Sequence, residues 1–359
     1  MTLIKNISQI NFDFGAIHNL NQRIYDLNIK KSEIIIFVDI YFKNKLSTLS
    51  IDQGEYGMLF FYDTKDEPTV EVIDDYVMKI RKKIPSPSLI VAIGGGSTLD
   101  TGKAVSNLIT NHGKAEDYQG WDLLTKKGIY KIGIPTISGT GAESSRTCVM
   151  INKKRNLKMG MNSNFSVYDE LILDPNITST VPFNQFFYTA MDTYIHSIES
   201  LNGNLRNPFS DSFSNKALSL CRDVFLDINP KSDTNREKLM LASYFGGVAI
   251  ANSMVGIIHP FSAGLSSVFG THHCLANCIV MKEMEEFYPK EVEEFNYIIK
   301  KLKIDLPRIN ILNEEQEIYK KLYEATIIHE RPLKNALGDS FKAVLDFDKV
   351  TEIFKKILR

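Results

Sequence analysis

The chain has 359 residues, and its 42 basic and 43 acidic side chains leave a formal net charge of -1. This balance, with no lysine- or arginine-rich block, argues against a nucleic-acid partner. The N-terminus has no apolar core of signal-peptide length, and the longest apolar run, 246–258, is shorter than the roughly 18 residues of a membrane span. Four cysteines are too few for a disulfide scaffold, so we expect a cytoplasmic protein with no membrane segment.

Strand-like and helix-like segments alternate through the first half of the chain. Short β-branched runs predict four buried strands, at residues 33–39, 57–62, 88–93 and 130–135. Helical periodicity follows the second and third strands, at residues 70–83, with Val72, Val77 and Ile80 on one stripe, and at 98–110. This alternation predicts a doubly wound α/β domain with a mostly parallel sheet over residues 1–180.

The second half has helical periodicity and few β-branched runs. Four helices are predicted, at residues 210–225, 236–258, 292–302 and 350–358. The chain is therefore expected to continue as an all-helical domain over residues 181–359.

A glycine-rich turn, Gly94-Gly95-Gly96-Ser97, joins the third strand to a helix. Glycines let a phosphate approach the backbone, and the free N–H groups of a helix N-terminus favour an anion. The Gly-x-Gly-x-x-Gly fingerprint fails because Leu99 takes the place of the last glycine, and the Walker A pattern fails as well. A ligand-free turn is the alternative, but a second such turn, 136–141, ends the fourth strand and favours a ligand site, because open α/β sheets bind ligands at the carboxyl ends of their strands.

Asp192 and His196 stand four residues apart in a segment without helix breakers. On a helix this spacing places both side chains on one face, where they can share a metal ion. His259 and the pair His272-His273 supply further imidazoles, and one carboxylate with three imidazoles suits Fe²⁺ or Zn²⁺. Isolated core or surface histidines are the alternative. Glu199, three residues after His196, is predicted to lie on a solvated helix face.

These motifs, in this order, resemble the iron-containing (group III) alcohol dehydrogenases over nearly the whole chain. The residues that carry the resemblance are Gly94–Ser97 with Asp100, Pro135–Glu143, Asp192, His196, His259 and His273. It implies a Rossmann-like domain, a helical metal-binding domain and a homodimer. In the family two histidines fourteen residues apart complete the metal site, which selects His273 over His272. The chain departs from the family at Ala263, where many members have a histidine, and at Cys274, where glycine is usual.

The resemblance implies NAD(P) as hydride acceptor. The implied contacts are Asp39, Gly94, Gly95, Gly96, Ser97, Asp100, Thr136, Ser138 and Lys158. A carboxylate at the end of the first strand accepts from a ribose hydroxyl and repels a 2′-phosphate, so Asp39 favours NAD.

Within the family, the sequence is most similar to the branch that oxidises the C8 hydroxyl of 3-deoxy-D-manno-octulosonate, a step toward an 8-amino sugar of lipopolysaccharide. This likeness rests on residues 117–123, 137–147, 187–201 and 332–338. A sugar acid calls for a cation, and Arg146 and Arg206 are candidates. The final electron acceptor, a nicotinamide cofactor or oxygen, is left open.

Three alternatives remain. The first is a general NAD(P)-dependent alcohol dehydrogenase or aldehyde reductase of this family. The second is a lyase of the related dehydroquinate-synthase or glycerol-dehydrogenase branch, which acts on different polyols with the same scaffold, and the third is a binding protein with a decayed site.

Overall fold

The protein is described by a computed structural model over residues 4–52, 54–65, 67–155, 157–309 and 316–358. The chain divides into two units, one ending at Val181 and the other beginning at Pro182. Across the described ranges, no helix is both long enough and apolar enough to cross a membrane.

The first unit is organised by a six-stranded sheet in which every pair of neighbours is parallel. Its strands, in spatial order, are β1 (Gln9–Phe12), β9 (Glu170–Leu173), β6 (Tyr130–Pro135), β4 (Leu89–Gly94), β2 (Ile34–Asp39) and β3 (Met58–Tyr62). All six residues of β4 are buried, because helices cover both faces of the sheet. The helices of this unit are α1 (Leu20–Asp26), α2 (Val70–Lys83) and α3 (Gly96–Thr110).

A second, three-stranded sheet was not predicted from the sequence. It contains β5 (Gly120–Trp121), β8 (Leu157–Asn162) and β7 (Thr147–Asn152), and β7 and β8 are antiparallel. Burial alternates residue by residue along β7, and its apolar segment, 148–151, is only four residues long, so a search for continuous apolar runs misses it.

The second unit is helical throughout its described residues. Its helices are α4 (Phe183–Asn202), α5 (Pro208–Leu226), α6 (Asp233–Asn252), α7 (Ile258–Phe269), α8 (His273–Met281), α9 (Pro289–Leu302), α10 (Gln316–Ile327), α11 (Glu330–Leu337), α12 (Phe341–Val344) and α13 (Phe347–Ile357). Helix α4 is central, since it packs against α5, α6 and α8 and every residue from 189 to 200 is buried. A Cβ on Gly246 of α6 would approach the Thr193 side chain of α4 to 3.0 Å, so glycine permits this close crossing.

The parallel sheet followed by a helical unit confirms the predicted fold class. Two local predictions were wrong. Val72 is 39% exposed, and the buried stripe of α2 is instead Val70, Ile73, Val77 and Ile80.

The predicted helix 236–258 is the second error, because α6 ends at Asn252 and α7 begins at Ile258. The backbone between them is held by a residue far away in sequence: Asn335 Nδ2 donates to the carbonyls of Met254 and Val255, at 3.3 and 3.1 Å. An apolar run does not reveal such a partner, so the break could not be found from hydropathy alone.

Candidate metal centre and nucleotide-binding turn

Asp192 and His196 lie one turn apart on α4, as their spacing requires. Both side chains are buried, and His196 Nε2 lies 3.6 Å from Asp192 Oδ1. A carboxylate without solvent needs hydrogen-bond donors or a cation around it, so this arrangement calls for further partners.

Two more imidazoles reach Asp192 from the starts of α7 and α8. His259 Nε2 lies 3.5 Å from Oδ1, and His273 Nε2 lies 3.8 Å from Oδ2. Ligand atoms bound tetrahedrally to one ion at about 2.1 Å are about 3.4 Å apart, close to these separations. The nitrogen and oxygen donors therefore fit a bound Zn²⁺ or Fe²⁺. In the described part of the chain, Asp192, His196 and His259 form a group whose ligand atoms all lie within 4.8 Å of one another.

The neighbouring side chains differ in their relation to this cluster. His272 is exposed, while Cys274 is buried and its Sγ donates to Asp192 Oδ2 at 3.5 Å. Position 263, four residues after His259, carries only the buried methyl group of Ala263. Cys274 thus fills space against the candidate ligand Asp192.

Glu199 is completely buried, so the prediction that it lies on a solvated face was wrong. Its Oε2 accepts from His259 Nδ1, and its Oε1 accepts from the backbone N–H of Ile258 at 2.5 Å and of His259 at 3.4 Å. The carboxylate thereby satisfies the first N–H groups of α7 and directs His259 Nε2 away from itself. The spacing contained the signal, because Glu199 is seven residues after Asp192 and shares its helix face.

The charges of the cluster are strongly coupled. Burial favours the neutral acid of Asp192, but His196, His273 and His259 outweigh it and hold the pKa of Asp192 well below its usual range. Burial lowers the pKa of His196 to about 4, against the opposing pull of Asp192. Burial also acts on His259, yet Glu199 and Asp192 overcome it and raise the pKa of His259 to about 9. The metal-free cluster therefore holds a proton on His259 at neutral pH.

The glycine-rich turn lies where open α/β sheets bind ligands. The chain leaves β2 toward β3 on one side and returns to β4 on the other, so the strand order reverses between β2 and β4. A Cβ on Gly94 would come within 2.4 Å of Thr98 Oγ1, and helix α3 starts without a side-chain cap on its N–H groups. Asp39 stands at the carboxyl end of β2, where its carboxylate accepts from Tyr41 N at 2.9 Å and burial raises its pKa.

The second turn is adjacent to the first, because β6 pairs with β4 and Thr136 N donates to Gly94 O at 3.0 Å. Cβ atoms on Gly95 and Gly96 would lie 3.1 and 3.2 Å from Ile137 and Thr140 side chains. Ser138 Oγ is buried and has no hydrogen-bond partner in the described residues. Uncapped N–H groups and an unsatisfied hydroxyl at a glycine cradle fit a phosphate ligand.

Two predicted cofactor contacts are engaged with the protein itself. The Asp100 carboxylate accepts from Val149 N at 2.9 Å and lies 3.6 Å from Lys103 Nζ, and burial raises its pKa to about 6. Lys158 on β8 is buried and donates to Glu67 at 2.6 Å. Asp100 therefore helps to attach β7 to α3. Lys158 can bind a ligand only if its ammonium group also keeps its hydrogen bond to Glu67 or breaks it.

Both predicted substrate arginines also have carboxylate partners. Arg146 is ion-paired with Asp122, and Arg206, on the surface, is 2.7 Å from Asp211. An acidic substrate would have to compete with these partners, so the substrate role of both arginines stays a prediction.

Comparisons with known proteins agree with these motifs. The chain matches the iron-containing alcohol dehydrogenase family over residues 8–175 and the C-terminal region of that family over residues 186–331. It is 26% identical to alcohol dehydrogenase 4 of Schizosaccharomyces pombe over 72% of this chain and 60% of that protein. It is 33% identical to sulfoacetaldehyde reductase of Bilophila wadsworthia over 52% of this chain and 49% of that protein. The matched segments thus span about half to 60% of these two relatives.

A solved structure supports the fold over the full length. Sulfoacetaldehyde reductase of Bifidobacterium kashiwanohense, solved with NAD+, superimposes with a TM-score of 0.83 at 19% identity, covering 100% of this chain and 99% of that one. With both halves of the chain matched by family profiles, the predicted resemblance is confirmed at the family level. The chain belongs to the iron-containing alcohol dehydrogenase family.

Proposed function

We propose that this protein is a metal-dependent dehydrogenase that interconverts a primary alcohol and its aldehyde with a nicotinamide cofactor. The observation that carries the proposal is the convergence of His196, His259 and His273 on Asp192, with separations of 3.5 to 3.8 Å. A divalent ion bound there supplies a Lewis acid, which lowers the pKa of an alcohol and polarises an aldehyde carbonyl.

The chain's own side chains prepare this chemistry. Glu199 accepts from His259 Nδ1, so the neutral ring carries its proton on Nδ1 and presents the Nε2 lone pair toward Asp192. Burial of Asp192 and Glu199 keeps two carboxylates out of water, and a dication offsets this charge.

The cofactor is proposed to be NAD rather than NADP. Support comes from Asp39 at the end of β2, beside the strand whose turn fits a phosphate. A carboxylate at this position binds the ribose hydroxyls and repels a 2′-phosphate. Comparing kcat/KM for NADH and NADPH tests this, and Asp39→Gly should shift the ratio toward NADPH.

The substrate is proposed to be a small primary alcohol or aldehyde, as the relatives' names suggest. The finer possibility is oxidation of 3-deoxy-D-manno-octulosonate at C8, supported by the sequence segments that resemble that branch. The ion pairs of Arg146 with Asp122 and of Arg206 with Asp211 favour the general activity, because both guanidinium groups already have anionic partners. Turnover of simple aldehydes with NADH, set against octulosonate with NAD and with oxygen, separates the two.

A cytoplasmic homodimer remains part of the proposal. The four cysteines are free and buried, as suits a reducing compartment. Light scattering of the purified protein tests the dimer, and fractionation of the source cells tests the compartment.

Metal analysis tests the central claim. Purified protein should contain a stoichiometric divalent metal, lose activity on chelation and regain it with anaerobic Fe²⁺ or with Zn²⁺. Asp192→Asn should lower metal affinity by more than the about 10–100-fold typical of residues that only contact ligands. Full activity after complete removal of metal would refute the proposal.

A further inference from the structure

The start of α8 brings one more polar side chain to the ligand cluster. Asn277 is one helical turn after His273 and is completely buried. Its Nδ2 lies 2.6 Å from Asp192 Oδ1, 3.3 Å from His259 Nε2 and 3.4 Å from His273 Nε2. Three atoms of the candidate ligand set thus meet at one amide nitrogen.

We propose that Asn277 is a positioning residue for the metal centre, which holds Asp192, His259 and His273 with their lone pairs converging; this rests on the proposed function. The amide offers two hydrogens, and the acceptors within reach are Asp192 Oδ1, His273 Nε2 and, when its ring is neutral, His259 Nε2. The shortest contact is a charge-assisted hydrogen bond to the Asp192 carboxylate, and the second hydrogen faces the two imidazoles. These contacts hold the ligands in place in the metal-free protein. A bound metal would take the imidazole lone pairs from the amide, while the hydrogen bond to Asp192, whose oxygen has a second lone pair, can persist and keep the carboxylate oriented.

The orientation of the amide follows from Asp192. Turning the group over would place Oδ1 next to the carboxylate oxygen, where two acceptors repel. Asn277 Oδ1 is instead buried without a hydrogen-bond partner in the described ranges. An unsatisfied buried oxygen lowers stability, so a side chain chosen only for packing would be apolar here. The unpaired oxygen therefore argues that the amide is retained for what its nitrogen does.

The control comes from another buried asparagine of the same unit. Asn235, near the start of α6, donates from Nδ2 to Asn229 O at 2.9 Å, and none of its hydrogen bonds involves a candidate ligand. Asn277→Ala and Asn235→Ala remove the same atoms from comparably buried sites, so they separate an effect on the metal from an effect on folding.

The experiment measures Zn²⁺ affinity of the full chain by chelator competition, and thermal unfolding of the metal-free protein. Asn277→Ala should weaken Zn²⁺ binding about 10–100-fold, the usual effect of losing a partner of a metal ligand. Asn235→Ala should lower the unfolding temperature and leave Zn²⁺ affinity unchanged. An affinity for Asn277→Ala within twofold of the wild type would overturn the proposal.

A second variant keeps the test decisive if the alanine protein does not fold. Asn277→Asp keeps the shape of the side chain but places a second carboxylate against Asp192. The metal-free variant should therefore unfold at a lower temperature than the wild type, and Zn²⁺ should raise its unfolding temperature by more. An equal rise in unfolding temperature for the variant and the wild type would count against a positioning role of Asn277. Failure of the wild type itself to bind metal would instead refute the proposed function.

Discussion

Replacing Glu199 by glutamine tests whether this buried carboxylate orients the metal ligand His259. The carboxylate accepts hydrogen bonds from His259 Nδ1 and from two backbone N–H groups at the start of α7. In Glu199→Gln the carbonyl oxygen still serves the backbone of Ile258, but the amide NH₂ then faces a ring nitrogen that also carries a proton. His259 must move that proton to Nε2 or rotate, and either change removes the lone pair that faces Asp192.

Metal affinity should therefore fall about 10–100-fold, which is about 1.4–2.8 kcal/mol of binding free energy. Chelator competition on metal-free protein at pH 8 measures this directly, and kcat at saturating metal should recover most of its value. The matched control is Glu294→Gln, because Glu294 also accepts from α4, through Tyr194 OH at 2.6 Å, but has its other contacts with Arg222. Unchanged metal affinity in Glu199→Gln, or an equal loss in Glu294→Gln, would show that the carboxylate does not act through His259.

Four further predictions concern His259, the glycine-rich turn and Asn335. Because Glu199 and Asp192 raise the pKa of His259 to about 9, protons should compete with the metal, and affinity should rise by up to tenfold per pH unit until it levels off near pH 9; a plateau above pH 7 contradicts this. The raised pKa contributes stability to the metal-free protein that is complete below about 6.5 and is lost as pH rises through about 9, which thermal unfolding at pH 6 and pH 10 checks. Gly95→Ala should fold yet weaken NADH binding by roughly tenfold, since the methyl group occupies the phosphate approach; fluorescence titration measures it, and unaltered binding would move the pyrophosphate elsewhere. Asn335→Ala should destabilise the protein by about 2–4 kcal/mol, because Leu205 N and two carbonyls lose their partner; urea unfolding with a loss under 1 kcal/mol would refute that.

Four of the six strands of the parallel sheet were predicted from the sequence, whereas β1 and β9, which have only four residues each, were not. The predicted strand 130–135 and helix 70–83 coincide with β6 and α2. Their hydrophobic periods are strong and local, so no tertiary information was needed. The family was also predicted correctly, because its motifs are short and follow one another in a fixed order.

What the sequence missed depends on partners far away along the chain. The break between α6 and α7 is held by Asn335, about 80 residues later. The strands β7 and β8 each have two polar side chains among six residues, and their pairing is visible only once the chain has folded. The environments of Asp100 and Lys158, which pair with Lys103 and Glu67, likewise could not be read from spacing.

The error at Glu199 shows why ligands are easier to predict than the residues that orient them. Asp192 and His196 are predicted as candidate ligands from their residue types and their four-residue spacing on one helix. Glu199 lies on the same helix, but its role depends on its hydrogen bond with His259, sixty residues away. Its burial was not expected, because charged residues in helices are usually exposed. A buried glutamate is tolerable only because Ile258 N, His259 N and His259 Nδ1 all donate to it. Helix α4 therefore does more than carry two candidate ligands, since its Glu199 also accepts from the first N–H groups of the helix that carries His259 and fixes the direction of that imidazole ring.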